Sequence, residues 1–385
     1  MKILHVASFD GNIGDRANHA GFYRFFKKYI TANFDVTQLE IRNFYKAWNL
    51  RKFDMAFAEE ANKYDLLVFG GGAFWEPRWD YSATGTTIDL NDEVLDALKI
   101  PVLFNGIGLN RAKGTTELAI ARFHKFLKKI TASPQFFVSV RNDGSKEELK
   151  ALYGTEFETS ILKVPDGGYL INPEPSSHPE IVKGKKHIAI CLGGDMTEVR
   201  FNQGQDQISR QKFVEKLATI CDDLLLNDDI RIVFAPHIFS DLKMIYEVLE
   251  LMNDKLVRTK VNVAPLLNGT ATDGMLIFDL YRHCDLVLSM RHHGNICPIA
   301  LGVPTIGILN YASHVADYKE MGLEHRYVLA NEAQFAFELE KKMANALACP
   351  ANYIDENKLV TMKVETLGKQ YFKNMGKWLS EFNLL

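Results

Sequence analysis

The sequence predicts an α/β protein of two doubly wound domains, and three observations carry that expectation. Short apolar runs end in glycine-rich turns and alternate with helical patterns, in two successive series along the chain. At 385 residues the chain exceeds one ordinary domain and suits two of middling size. Between the series, Asn172 to Pro179 is rich in Pro and Ser and is followed by Lys183-Gly184-Lys185-Lys186, the composition of a linker.

Taken in order, Ile3 to Ser8 reads as the first strand, Asp10-Gly11-Asn12-Ile13-Gly14-Asp15 as a turn, and Ala17 to about Ile30 as a helix. Leu66-Leu67-Val68-Phe69 then runs into Gly70-Gly71-Gly72, and Pro101-Val102-Leu103-Phe104 into Gly106-Ile107-Gly108. Phe136 to Val140 leads to Arg141-Asn142-Asp143-Gly144-Ser145. Past the linker, His187 to Leu192 restarts the pattern, and Ile230 to Ala235, Leu286 to Ser289 and Thr305 to Ile308 follow as strands. Asn357 to Leu385 is helical, with Lys and aromatic residues interleaved. The expected divisions are 1–180, 186–350 and a closing helical segment 351–385. Ligands of open parallel sheets bind beyond the carboxyl ends of the strands, so the chemistry is expected in a cleft between the domains.

Hydrophobic residues make up 47% and charged residues 24%, the balance of a soluble globular protein with a substantial core. A net charge of −3 gives no support to a nucleic-acid partner. No apolar run approaches the roughly 20 residues that span a bilayer. Met1 to Val6 enters a strand directly, without a signal-peptide pattern. The five cysteines are scattered and form no CxxC pair, which argues for a reducing compartment and against structural zinc. The expected address is the cytoplasm.

Several strand ends carry residues fit for chemistry. Gly11-Asn12-Ile13-Gly14-Asp15 offers close backbone approach and a helix N-terminus, which suit an anion or a sugar hydroxyl. It serves equally as a plain β–α turn with Asp15 as the helix cap. It does not match GxGxxG, so a dinucleotide site is not indicated. Gly70 to Gly72 is followed by Phe74-Trp75-Glu76-Pro77-Arg78-Trp79-Asp80-Tyr81, whose aromatic faces and carboxylates are what a sugar ring needs. The alternative is a loop whose aromatics pack back on their own domain. Ser289-Met290-Arg291-His292-His293-Gly294 is the strongest signal: Arg offers a fork to carboxylate or phosphate, and His donates a proton near neutral pH. No HxxxH pattern is present, and no metal is read there. Pro165-Asp166-Gly167-Gly168 and Ala235-Pro236-His237 close two more strands, with Asp166 a cap or turn residue and His237 a cleft residue. Phe44 to Phe53 mixes bases with aromatics; it suits peripheral contact with a membrane surface or a lipid-linked acceptor, or an amphipathic helix packed on its own domain.

In this order the turns resemble the polysaccharide pyruvyl transferase family. The matching segments are Gly11 to Asp15, Gly70 to Gly72, Gly106 to Gly108, Arg141 to Ser145, Pro165-Asp166, Ser289 to His293, and Gly302-Val303-Pro304. The resemblance covers residue 1 to about residue 325. It implies a GT-B-like fold of two Rossmann-like domains facing a central cleft, with phosphoenolpyruvate as donor and a lipid- or nucleotide-linked sugar as acceptor. It further implies work on exopolysaccharide or capsule precursors, at the inner face of the membrane, without a cofactor. The family's Arg and His of SMRxH map onto Arg291 and His293. The chain departs from the pattern twice: Gly193 follows the first strand of the second domain where many members carry Arg, and His314 stands where Lys is usual. Arg200, Lys319 and His314 are the cations available to take over.

Under this reading His293 is the general acid, Asp15 or Asp80 the acceptor-side base, and Arg291, His292, His237 and His314 bind the donor. Asn12, Gly71, Gly72, Trp75 and Trp79 bind the acceptor. Two rival readings are a GT-B glycosyltransferase using a nucleotide sugar and a non-catalytic glycan-binding member.

Overall fold

The computed structural model describes residues 1–201, 207–267 and 275–385. The chain forms two units, one of residues 1–10, 18–167 and 364–385, the other of 11–17 and 168–363. The division falls at Gly167/Gly168, ahead of the Pro- and Ser-rich stretch, and the turn 11–17 belongs to the second unit.

The first unit is built on six parallel strands, β1 (Lys2–Ala7), β2 (Asp35–Glu40), β3 (Leu66–Trp75), β4 (Val102–Leu109), β5 (Phe136–Arg141) and β6 (Leu162–Val164), in the order β2-β1-β3-β4-β5-β6. Every residue of β4 is buried, as expected of a central strand covered on both faces. The helix Glu117–Ala132 turns Ala119, Phe123, Phe126, Leu127 and Ile130 inward, a stripe at helical spacing, and Thr116 caps it by accepting from the Ala119 N–H. Phe69 and Phe104 stack within this core with centroids 5.2 Å apart. Each such side chain contributes about 1.5–3 kcal/mol by leaving water.

The glycine runs after Phe69 and Phe104 do not end their strands. β3 continues through Gly70-Gly71-Gly72, and β4 through Gly106-Ile107-Gly108, with Gly70 paired to Asn105 and Gly72 to Ile107. A Cβ on Gly70 would lie 2.2 Å from the Asn105 carbonyl oxygen, and one on Gly71, at φ +79°, would strike the His19 ring at 2.7 Å. Protein atoms, not an open space, fill the room these glycines leave.

The second unit also holds six parallel strands, β7 (Lys186–Cys191), β8 (Ile230–Phe234), β9 (Val261–Val263), β10 (Leu286–Ser289), β11 (Thr305–Leu309) and β12 (Tyr327–Leu329), ordered β12-β11-β10-β7-β8-β9. The order reverses between β7 and β10, and ligands of such sheets bind at that switch point. The closing helix, Pro350–Ser380, gives its first part to the second unit and its remainder to the first. In the first unit its Tyr371 hydroxyl donates to Asn105 Oδ1 at 2.9 Å, and Trp378 Nε1 donates to the Pro134 carbonyl at 2.8 Å. Among the described residues no helix is long and apolar enough to cross a membrane.

Candidate active site

The site grows from the loops after β7, β8, β10 and β11. Its centre is Asp241, fully buried, which no sequence motif had marked. One carboxylate oxygen accepts from the Gly194 N–H at 3.0 Å, after β7. The other accepts from the N–H groups of His237 (2.9 Å) and Ile238 (3.0 Å), after β8. Arg291, after β10, closes on both oxygens through Nε and Nη2. One anion thus ties three strand ends together at the switch point. The only hint in the sequence is the Ser240-Asp241 pair opening a helix.

Arg291 also reaches Asp195 Oδ1 at 2.8 Å. Burial works against its charge, but Asp241 and Asp195 outweigh burial and raise the guanidinium pKa above its usual value. The Asp195 carboxyl is held low: desolvation opposes its charge, and Arg291 and Arg200 overcome it. The loop of Arg291 is locked locally: Ser289 Oγ accepts from the Arg291 N–H and donates to the Arg291 carbonyl, both at 3.0 Å. Asn295 Nδ2 donates to the same carbonyl at 2.8 Å, and Asn295 Oδ1 accepts from the Tyr318 hydroxyl at 2.9 Å. Cys191 lies beneath; burial first, then Asp241, pushes its thiol up to about 12, so it is no nucleophile.

His293 is the second residue of the helix that follows, His292–Ala300. It is 6% exposed and closely packed against two glycines of the same unit: a Cβ on Gly14 would lie 2.6 Å from its Nδ1, and one on Gly168 would lie 2.8 Å from its Cδ2. The turn 11–15 therefore stands beside His293, and the Ile13 N–H donates to the His237 carbonyl at 3.3 Å. The helix begins at Ile13, four residues earlier than expected. Asp15 lies inside its first turn, and Asn12 does the capping, its Oδ1 accepting from the Gly14 N–H at 3.0 Å. His237 is buried and bonded through Nε2 to the Tyr281 hydroxyl at 2.7 Å. Desolvation, then the charges of Arg291 and His293, drive its pKa well below the usual value, so it is neutral.

The two departures from the family pattern acquire a spatial account. The Arg200 guanidinium carbon lies 2.9 Å from where a Cβ on Gly193 would sit, so Arg200 fills the space of the side chain that Gly193 lacks. It is fixed by Asp195 Oδ1 (3.0 Å), the Asp195 carbonyl (2.9 Å) and Asn310 Oδ1 (3.1 Å), and lies 4.4 Å over the Tyr311 ring. From Tyr311 a row of rings leads to His314 (5.3 Å), His292 (5.4 Å) and His293 (5.1 Å). Lys319 is exposed on the helix Ala312–Met321.

In the first unit the expected acceptor residues scatter. Trp75 is fully buried, packed on Phe104 and Phe123 in the core, so it offers no face to a sugar. Trp79 is half-buried beneath the Arg78 guanidinium at 4.2 Å. Asp80 is exposed and accepts from the Thr116 hydroxyl. Gly71 sits on His19, and the neighbouring Gly70 carbonyl accepts from His5 Nε2 at 3.1 Å. His5 is buried with a strongly lowered pKa, through desolvation first and His19 second, so its Nδ1 must accept from the Tyr23 hydroxyl at 2.6 Å. Arg141 bridges Asp143 (2.5 Å) and Asp166 (3.3 Å), and Asp166 also accepts from Asn18 Nδ2 at 3.1 Å. Residues 44–53 form no amphipathic helix beyond a short turn at their start. Phe44 and Phe53 stack at 4.0 Å to close a loop, with Trp48 and Leu50 exposed.

Among solved structures, the chain is similar to HepE of Anabaena in complex with UDP (TM-score 0.55, 11% identity, 98% of this chain and 100% of that one). It is also similar to the α,α-trehalose 6-phosphate synthase of Burkholderia multivorans (0.54, 11%, 100% and 98%) and to the MnaA–UDP complex of S. aureus (0.53, 8%, 89% and 88%). At these identities the likeness establishes the fold, a GT-B-like pair of Rossmann-like units. A comparison of the sequence with curated proteins gave no match. The profile of the polysaccharide pyruvyl transferase family matches residues 12–312, from the turn beside His293 to the loop after β11, and the chain belongs to that family.

Proposed function

We propose that the protein transfers pyruvate from phosphoenolpyruvate to a sugar of a surface-polysaccharide precursor, forming a cyclic ketal. The observation that carries this reading is the grouping of Arg291, Arg200, His293 and the 11–15 turn around one switch point. A ketal made from an enol ether needs a proton at the methylene carbon, cations for carboxylate and phosphate, and a base for the incoming hydroxyls.

His293 donates the proton to the methylene carbon, and the central carbon gains oxocarbenium character. One sugar hydroxyl attacks that carbon and gives up its proton to Asp15. The C–O bond to phosphate then breaks, and the second hydroxyl closes the ring, its proton leaving with the phosphate. Arg291 and Arg200 take the donor's anionic groups; His292, His314 and His237 line its pocket. Asp15 is preferred to Asp80 as base, because it sits next to Gly14, the residue packed on His293. On the first unit, a cavity of about 730 Å³ lined by Lys46, Arg51, Lys52, Tyr81, Asp89 and Arg122 suits an acceptor on an anionic carrier. The exposed Trp48 and Leu50 beside it suit a lipid carrier at the inner face of the membrane.

Thermal shift with phosphoenolpyruvate, inorganic phosphate and UDP tests the donor. A ligand that binds only the folded state raises the melting temperature by mass action. The expected result is a larger shift with phosphoenolpyruvate than with equimolar phosphate, retained in His293→Gln while phosphate release is lost. A shift with UDP and none with phosphoenolpyruvate overturns the assignment in favour of a sugar-nucleotide donor.

A further inference from the structure

Away from the switch point, the second unit brings two histidines and an aspartate together. Asp279 is fully buried near the end of the helix Met275–Tyr281, and His283 follows just beyond it. His178 arrives from the Pro-rich stretch 172–179, 101 residues earlier in the chain, and only 4% of its side chain is exposed. One ring nitrogen of each histidine and one carboxylate oxygen lie within 4.8 Å of one another. The two measured separations are 2.8 Å from His178 Nε2 to Asp279 Oδ2 and 3.9 Å from His283 Nε2 to the same oxygen.

From this geometry we infer a divalent transition-metal site, best suited to zinc, formed by His178, Asp279 and His283. Ligands at about 2.1 Å in tetrahedral order stand about 3.4 Å apart, and the observed 2.8 and 3.9 Å straddle that value. Shifts of about half an ångström bring the carboxylate oxygen to tetrahedral spacing from each histidine nitrogen. Two imidazoles and one carboxylate select zinc over magnesium or calcium, and the fourth position is left to water. The side chain of His283 is 44% exposed, which gives the ion a path from solvent.

The surrounding contacts suit a ligand carboxylate. Oδ2 of Asp279 also accepts from the Ser176 N–H at 2.7 Å, which fixes its orientation. Arg282 meets the other oxygen, Oδ1, at 3.4 Å and donates to the Pro173 carbonyl and Asn172 Oδ1 at 2.7 and 2.8 Å. The metal and Arg282 therefore occupy opposite sides of the carboxylate, and both pin residues 172–178 to this helix. Spacing in the sequence gave no sign of such a site, because its ligands come from distant segments. A purely structural role for Asp279, as clamp for Ser176 and His178, needs no contribution from His283.

That difference supplies the test. The full-length protein, stripped with chelator, is titrated with Zn²⁺ by calorimetry and followed by melting temperature, with Co²⁺ used to read the ligand field in visible absorption. The expected result is one ion per chain, a rise in melting temperature and a tetrahedral cobalt spectrum. His283→Ala, an exposed change that leaves the metal-free melting temperature unaltered, should weaken zinc binding by about tenfold or more and abolish the rise. Absence of zinc binding, or binding that His283→Ala leaves unchanged, overturns the inference.

Discussion

Asp241→Asn is the sharpest perturbation of the site, because the two side chains have the same shape and differ in charge and in one acceptor. The carboxylate faces five donors: the N–H groups of Gly194, His237 and Ile238, and Nε and Nη2 of Arg291. Whichever way the amide turns, its NH₂ replaces an oxygen that serves at least two of them. A hydrogen bond to a charged group is worth about 1.5–3 kcal/mol, and removing one partner of a buried ion pair costs about 3–5 kcal/mol. These figures describe the same loss and are not added. Asp195 still holds Arg291 at 2.8 Å, which places the expected cost near the lower end, about 3 kcal/mol. Asp195→Asn is the matched control: its side chain is 32% exposed, though it pairs with the buried Arg200, so the change should cost about 1–2 kcal/mol, less than Asp241→Asn. Urea unfolding followed by circular dichroism measures both. If Asp241→Asn costs no more than Asp195→Asn, Asp241 is not the anchor of the three strand ends.

Gly14→Ala places a methyl 2.6 Å from His293 Nδ1 while the helical backbone accepts it. His293, packed on its other side against Gly168, must shift, so stability should fall by about 1–3 kcal/mol and turnover should fall about a hundredfold. Phosphate release beside a thermal melt separates the two effects. The neutral, buried His5 and His237 both have pKa values lowered well below 6.5 in the fold. Their stability contribution is therefore whole above pH 6.5 and is lost as the pH falls below it, because the unfolded chain takes up protons that the fold refuses. Together they add a slope that approaches about 2.7 kcal/mol per pH unit a unit or so below that point, which unfolding at stepped pH measures and His5→Gln should roughly halve.

The central strands were legible because they are short, apolar and end near glycine. β1, β5, β7, β8, β10 and β11 fall within one residue of expectation at either end, while β3 and β4 match at their starts and run five or six residues further. The edge strands were not. β2 reads Asp-Val-Thr-Gln-Leu-Glu and is largely exposed, so it carries no apolar run to notice. β6, β9 and β12 have three residues each, too few for a periodic signal. The glycine runs were read as turns, but two of them continue as paired strand, because glycine reports a close approach without saying what approaches. His293 and Arg291 stood out by residue type at a strand end. Asp241 could not, since its nearby partners, the N–H groups of His237 and Ile238, carry no residue-type signal, and Gly194 and Arg291 meet it only through the fold. Trp75 was indistinguishable from Trp79 in composition, and only burial separates a core ring from one nearer solvent.

The pair Gly193 and Arg200 shows why a missing residue in a motif is weak grounds for inferring a lost activity. An arginine at position 193 would issue from the end of β7, and none is there. The chain instead leaves that position bare and folds Arg200 back from a short helix into the same volume. The charge at the switch point is kept, while the guanidinium is now fixed from the far side by Asp195, Asn310 and the Tyr311 ring. A guanidinium held by three partners is ordered in advance, so less side-chain freedom remains to be lost on binding an anion. The same constraint limits it: all three of its nitrogens already donate to the Asp195 carbonyl, Asn310 Oδ1 or Asp195 Oδ1, so it meets an anion through fewer free N–H groups than an exposed arginine would. Arg291 is similarly committed to Asp241 and Asp195. Asp241 and Asp195 offset the charge of the two arginines, so an anion here is held by the position of the remaining N–H groups more than by net charge.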